Sequence, residues 1–317
     1  MIATPNQAIG RAFCSAANLG AGFDVFGLAL DKYYDTVSAR LTWERKIRIF
    51  LKGVIGHSIP REVAKNSAGP PAVALLKRAG SKRGLEITIE KAVPQNLGLG
   101  SSGATAAACT RVLDRLLNLN LSNDELVRVA SLGEKAVTGT AHADNVAASL
   151  LGGFVIVRGI PPKVVAVRPP RSLSAVVVTP EIPLKDAKTR LARRLVPKNL
   201  EVRKAVLNIG HASTTAAGFA LGNIDMIGSG MEDQIAEPYR EALIPGYREV
   251  KGAGLSAGAA GVSISGAGPS IIALMDGSHH DPREVARSMV RAFAGKNVSS
   301  KFFIARPGPA ARILPRR

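Results

Sequence analysis

The sequence predicts an α+β fold in two units, residues 1–155 and 156–317. Three observations lead there. Strand-like and helix-like segments are mixed without the regular βαβ alternation of a parallel sheet. A glycine-rich loop joins a strand-like run to a helical one near residue 100. A length of 317 residues favours two domains over one, with the break near Gly152 to Pro170.

Taken in order, Ala3 to Leu30 mixes turn residues with short apolar pieces, and Leu41 to Leu51 alternates apolar and charged side chains as a half-buried strand does. The chain therefore opens β-rich. Ala72 to Leu76 with its flanks reads as a helix. Leu85, Ile87 and Ile89 alternate with Glu86, Thr88 and Glu90 in strand fashion, and the glycine-rich loop follows at once. Beyond it Ala104, Ala108, Val112 and Leu116 recur at helical spacing. Ser122 to Glu125 is a capping box opening a helix whose face carries Leu126, Val129, Ala130, Gly133 and Val137, with Glu134 at its edge. Strands are expected at Phe154 to Val157 and Ser174 to Val178. Pro183 to Lys198, polar, basic and bounded by prolines, reads as a connection with a short helix. A helical region covers about Leu200 to Glu249. Val262 to Ser265 and Ser270 to Met275 are strands joined by Gly266-Ala267-Gly268-Pro269, and a helix near Pro282 to Phe293 precedes a last strand.

A formal net charge of +18 admits nucleic acid, an acidic membrane surface or phosphorylated small molecules as partners. Its distribution argues against nucleic acid. Basic residues are scattered among acidic ones, aromatics make up 4%, and no aromatic and basic residues interleave to stack bases. The charge reads as solubility and surface ion pairing. No apolar run spans a bilayer and Met1 to Gly10 lacks the form of a signal peptide, so a cytoplasmic protein without membrane partners is expected. Cys14 and Cys109 stand far apart, without zinc or disulfide spacing.

The segment with most chemistry is Pro94-Gln-Asn-Leu-Gly-Leu-Gly-Ser-Ser-Gly-Ala104. Gly98, Gly100 and Gly103 permit close backbone approach, Ser101 and Ser102 can cap the following helix, and backbone N–H groups can cradle phosphate oxygens. No Gly-Lys-Ser/Thr ends the run and its spacing is not G-x-G-x-x-G, which excludes both common nucleotide motifs.

This segment resembles the ATP-binding motif of the GHMP kinases. Ser15-Ala-Ala-Asn-Leu-Gly-Ala-Gly-Phe-Asp-Val25 resembles the family's first motif in its homoserine kinase form, and Ile264-Ser-Gly-Ala-Gly-Pro-Ser270 resembles its third. Gly139-Thr-Ala-His-Ala-Asp-Asn-Val146 and Ile235-Ala-Glu-Pro-Tyr-Arg240 also resemble homoserine kinases, in family order across nearly the whole chain. One departure is Ala148, where the family usually has proline.

The resemblance implies a two-domain GHMP kinase fold, an N-terminal unit like ribosomal S5 domain 2 and a C-terminal ferredoxin-like unit. It implies ATP-dependent phosphorylation of the hydroxyl of L-homoserine, with Mg²⁺, in threonine biosynthesis, and a homodimer by analogy. ATP is expected along Gln95, Asn96, Leu97, Gly98, Leu99, Gly100, Ser101, Ser102, Gly103, Ala104 and Thr105, with Asn66, Lys91, Gly266 and Gly268 around the nucleotide. Ser102 and Glu134 are the implied metal ligands. Asn18, Asp24, His142, Asn145, Thr189, Arg193 and Arg240 are the implied substrate contacts, a carboxylate suiting an ammonium group and arginine's planar fork a carboxylate. Arg193 is preferred over Arg190 and Arg194, because Thr189-Arg-Leu-Ala-Arg193 before Pro197 fits the family's Thr-x-x-Ala-Arg pattern.

Asn145 and His142 are thus placed at the reacting hydroxyl, with Ser102 and Glu134 as the other catalytic residues. Phosphoryl transfer demands mainly positioning and charge neutralisation, so catalysis without a carboxylate base is expected. The competing readings are a shikimate or mevalonate-pathway kinase sharing the phosphate loop, and a non-catalytic nucleotide-binding protein.

Overall fold

The computed structural model describes residues 6–53, 59–139, 142–183 and 188–315. Strands β1 (Gln7–Asn18) and β2 (Gly22–Thr42) form a long antiparallel hairpin, registered from Gln7 against Arg40 to Asn18 against Gly22. At its tip Asn18, Leu19 and Gly20 all have positive φ, of 73°, 49° and 75°. For Asn18 and Leu19 this left-handed backbone costs on the order of 1 kcal/mol each, so the surrounding packing must impose it.

Strand β3 (Ile47–Lys52) pairs in parallel with β4 (Gly84–Glu90), and β4 pairs with β2. Helix α1 (Gly69–Arg78) lies between them in sequence. Helices α2 (Ser101–Leu116), α3 (Asn123–Thr138) and α4 (Asp144–Leu151) follow. The chain then adds β5 (Phe154–Arg158) to β2, and β6 (Lys163–Val167) to β5. All four helices contribute to one core with Ala12, Val37, Leu85, Ile87 and Ile89 of the sheet. The alternation at 85, 87 and 89 is therefore the helix-facing side of β4. Helix α3 starts at a reciprocal capping box between Ser122 and Glu125, as its sequence pattern requires.

The second sheet holds β7 (Leu173–Pro180), β8 (Gly261–Ile264), β9 (Ile271–Asp276) and β10 (Ser300–Ala305) in the order β10-β7-β9-β8, all antiparallel. Between β7 and β8 run α5 (Lys188–Arg194), α6 (Val202–Leu221), α7 (Ile224–Ser229), α8 (Glu237–Arg240) and α9 (Tyr247–Ser256), and α10 (Pro282–Ala294) joins β9 to β10. This is the expected ferredoxin-like arrangement. Val176 and Val178 face α9 and α10, whereas Ala175 and Val177 share a core with Cys14, Leu28, Phe154 and Phe219. Both faces of β7 are thus buried, and the second joins the two units. Both cysteines are buried and free, burial pushing each thiol up to about 12.

Some expectations need correction. The run Leu41 to Leu51 is two strands, broken where Lys46 donates its backbone N–H to Glu44 O at 2.8 Å. The helical region from 200 to 249 is several helices, interrupted at Gly222 and Gly246 where φ is positive. The division at 155/156 falls inside β5. Hydrogen bonding assigns β5, β6 and the C-terminal β11 (Arg312–Ile313) to the first sheet. Among the described residues no helix is long and apolar enough to cross a membrane.

Candidate active site

The loop between β4 and α2 forms one wall of a cavity of about 540 Å³. Two glycines bring it there. A Cβ on Gly98 would sit 2.1 Å from Ser265 O, and one on Gly100 only 2.3 Å from Ser15 Oγ and 2.7 Å from Asn145 Oδ1. Both glycines have positive φ. Ser265 Oγ donates to Gly98 O at 2.7 Å, so the glycine-rich turn after β8 clamps the loop from the second unit.

The serines of the loop do not cap α2, contrary to expectation. Ser101 Oγ donates to Val93 O at 2.9 Å, and Ser102 Oγ donates to a carboxylate oxygen of Glu134. With no side chain capping it, the start of α2 leaves backbone donors and the positive end of the helix dipole for an anion.

Beneath the loop, the Asp35 carboxylate accepts from Ala92 N and Val93 N at 3.0 Å each, from Thr105 Oγ1 at 2.6 Å, and from Lys91 Nζ. Lys91 Nζ also donates to Ser101 O at 2.8 Å and Thr105 Oγ1 at 2.9 Å. Three acceptors engage its three protons, so the expected nucleotide contact of Lys91 is instead a strut holding the loop to β2. Asn66 is likewise committed, donating to Pro60 O at 2.7 Å and accepting from Ala68 N at 2.9 Å. These two bonds fix its side chain in the cavity wall.

Glu134 is carried in by α3, which approaches closely because a Cβ on Gly133 would lie 2.1 Å from Ser67 O. The residue is 5% exposed, and burial pushes its pKa up against the Ser102 hydrogen bond that lowers it. A hydroxyl and a carboxylate in contact at the loop are hard oxygen donors that fit Mg²⁺. Among the described residues no group of three or more His, Cys, Asp or Glu is placed to hold a metal ion, so phosphate oxygens and water would have to complete the ion's shell.

The other end of the cavity is charged. Arg193 Nη2 donates to both oxygens of Asp24, at 2.8 and 2.7 Å, and lies 2.8 Å from His142 Nδ1. Burial pushes the Asp24 carboxyl up, but His142 and Arg193 outweigh it and hold the pKa below its usual value. Arg240 is buried, donating from Nε to Ala192 O at 3.0 Å and from Nη1 to Gly266 O at 3.1 Å. Both guanidinium groups lie over the Phe23 ring, at 5.6 Å for Arg193 and 5.0 Å for Arg240. Asn18 joins the hairpin tip to the same turn, its Nδ2 donating to Gly266 O at 2.9 Å and its Oδ1 accepting from Asp24 N at 3.2 Å.

Asn145, on the first turn of α4, lies between these ends. Ser15 Oγ donates to its Oδ1 at 2.9 Å, which leaves the amide nitrogen as its remaining donor. Asp144 beside it is 3% exposed; burial and the charge of Asp24 raise its pKa to about 6.

Most of the residues singled out in the sequence thus meet in one cavity. Leu97 and Ala104 do not: they pack into the core behind the loop, while a Cβ on Gly103 would lie 3.3 Å from Asn145 Cβ. Arg193 faces the cavity and Arg194 is exposed; the side chains of Thr189 and Arg190 lie outside the described residues. Sequence reasoning missed Ser15, Phe23 and Asp35. Ser15 and Phe23 stand inside the first motif, where the hydroxyl and the ring next to Asp24 were signals; Asp35 carried none.

Residues 64–153 match the GHMP kinases N terminal domain and residues 215–295 the GHMP kinases C terminal domain. The chain is 39% identical to a homoserine kinase of Halorubrum lacusprofundi, over 96% of this chain and 98% of the relative. It is 37% identical to one of Thermoplasma volcanium, over 91% of each. The crystal structure of homoserine kinase from Cytophaga hutchinsonii superposes with a TM-score of 0.90, at 33% identity and 99% coverage of both chains.

Proposed function

This chain belongs to the homoserine kinases of the GHMP kinase family, and from that premise we propose that it transfers the γ-phosphoryl group of ATP to the side-chain hydroxyl of L-homoserine. One observation carries the assignment of roles: a glycine-rich anion site and a cluster of Asp24, His142, Arg193 and Arg240 line the same cavity. The first suits triphosphate. The second suits an α-amino acid, with Asp24 for the ammonium group and Arg193 and Arg240 for the carboxylate.

In this reading the phosphates lie on the backbone from Gly98 to Ser102 and at the start of α2. Ser102 and Glu134 would hold Mg²⁺, which neutralises phosphate charge when bound. The substrate hydroxyl sits near Asn145, whose amide N–H orients its oxygen toward the γ-phosphorus. The new O–P bond forms as the bond from phosphorus to the β,γ-bridging oxygen breaks, ADP leaves, and the hydroxyl proton passes to phosphate oxygen or solvent. Proximity and fixed dipoles supply most of the acceleration, with no dedicated carboxylate base. A cytoplasmic homodimer completes the proposal, its dimerisation supported by the exposed apolar side chains of Val202, Val206 and Ile209 along α6.

ADP release measured with L-homoserine, L-threonine, L-serine, shikimate and mevalonate tests the assignment. Turnover should be fastest with L-homoserine. Absence of homoserine-dependent ADP release overturns it.

A further inference from the structure

The amino-acid end of the cavity holds its own ion pair. Arg193 engages both carboxylate oxygens of Asp24 and touches His142, although Asp24 and Arg193 are the residues to which opposite substrate charges are assigned above. The backbone under Arg193 is anchored: Ala192 is fully buried and its carbonyl accepts from Arg240. Separating the pair therefore needs only the Arg193 side chain to turn. The side chains of Asp24 and Arg193 are 36% and 35% exposed, so the contact is partly desolvated yet reachable from the cavity.

We propose that this Asp24–Arg193 pair is a competitor that the substrate must displace, and that it makes the site selective for zwitterions. The proposal rests on the homoserine reading of the site. A zwitterion exchanges one internal contact for two, ammonium on Asp24 and carboxylate on Arg193. An alcohol with only one of these charges must break the same contact and leaves the other ion without its partner, which is costly in a partly desolvated site. Discrimination against such compounds thus comes from the pair being broken as well as from the missing contact. The Phe23 ring beneath both guanidinium groups allows Arg193 to move toward Arg240 without leaving an aromatic face, and there the two arginines would bracket a carboxylate.

The probe is 4-hydroxybutanoate, which is homoserine without its ammonium group. If Asp24 only binds ammonium, Asp24→Asn changes the affinity for 4-hydroxybutanoate by no more than the relief of charge repulsion, since no contact to it is lost. If Asp24 competes for Arg193, the same substitution frees the arginine and tightens 4-hydroxybutanoate binding by roughly tenfold. Calorimetric dissociation constants for L-homoserine and 4-hydroxybutanoate at pH 8 should be compared in the wild type, Asp24→Asn and Asp144→Asn. Asp144→Asn removes a neighbouring carboxylate that makes no hydrogen bond to Arg193 among those of the described residues, and so reports simple relief of repulsion. Support is a gain in Asp24→Asn well above that in Asp144→Asn, together with weaker homoserine binding by Asp24→Asn. No gain, or an equal gain in both variants, overturns the exchange while leaving the homoserine reading intact. If the wild type fails to bind homoserine, both fall.

Discussion

Ser15 on β1 holds the side-chain oxygen of Asn145 on α4 at 2.9 Å, joining positions 130 residues apart. Ser15 is itself fully buried and lies 3.4 Å from Ser149 Oγ, whose hydroxyl reaches Phe13 O at 2.8 Å. With this hydroxyl donating to the amide oxygen, the amide nitrogen of Asn145 is left to donate into the cavity. Ser15→Ala should therefore lower kcat by roughly fivefold, the equivalent of about 1 kcal/mol for one buried hydrogen bond, with the KM for ATP little changed. In an Asn145→Ala background the same substitution should cost almost nothing in kcat. Steady-state kinetics on the four proteins of this cycle check it.

Gly100 makes a harsher prediction. Its φ of 63° and the 2.3 Å separation between a notional Cβ and Ser15 Oγ leave no room for a branched side chain. Gly100→Val should push the phosphate loop away from Asn145 and raise the KM for ATP at least roughly tenfold. Nucleotide titration of the folded variant decides the matter. Unchanged ATP affinity removes the phosphates from this loop.

How far these features could be read from sequence depended on whether a local pattern encoded them. The capping box at Ser122, the alternation of Leu85, Ile87 and Ile89 and the glycine run at 98, 100 and 103 are short-range signals, and each has a direct structural counterpart. The Asp35–Lys91 strut is a contact across 56 residues, so nothing near either residue announced it. For the same reason β11, two residues long, was not visible, because its existence depends on pairing with β1 at the opposite end of the chain. Arg193 and Arg240 could be nominated, but their convergence over Phe23 required the fold.

Glu134 tests the proposed metal site. Glu134→Gln keeps the shape and the hydrogen bond to Ser102 but removes the charge that would attract a divalent cation. Turnover should fall at least roughly tenfold and the Mg²⁺ concentration for half-maximal rate should rise, with little loss of thermal stability. A Mg²⁺ titration of rate beside a thermal melt separates the two effects. An unchanged titration reduces Glu134 to a structural carboxylate.

Asp144 distinguishes catalysis by positioning from catalysis by a base. Its pKa is raised from 3.8 to about 6, first by burial and then by Asp24. In the unfolded chain it ionises near its ordinary value, so between pH 4 and 6 the folded state binds more protons. On this group's account stability therefore falls as pH rises through that window. Asp144→Asn should remove that slope, a difference on the order of 2 kcal/mol above pH 6. With positioning dominant, kcat should stay within roughly tenfold of wild type. Denaturant unfolding from pH 4 to 8 and a pH–rate profile check both parts; a loss of several orders of magnitude in a folded variant would make Asp144 the base.

The two arginines assigned to the substrate carboxylate should behave differently, because the fold uses only one of them. Arg193 directs its guanidinium to Asp24 and His142, both groups of the cavity, and its side chain is 35% exposed. Arg240 is 5% exposed, and it supplies hydrogen bonds to the carbonyls of Ala192 and Gly266. Removing Arg193 costs a substrate contact and leaves no buried carbonyl without that donor. Removing Arg240 takes a donor from each of two carbonyls and loosens α5 and the Gly266 turn together. Arg193→Ala should thus raise the KM for L-homoserine by an amount equivalent to about 2 kcal/mol or more, with a smaller fall in melting temperature than Arg240→Ala. Arg240→Ala should raise the same KM and also destabilise the protein by about 1 to 3 kcal/mol. The KM for ATP should move little in Arg193→Ala. Arg194→Ala, at an exposed position, should leave both constants near wild type. Kinetics and thermal melts on these three variants are sufficient; a larger homoserine defect in Arg194→Ala than in Arg193→Ala would shift the carboxylate contact by one residue along α5.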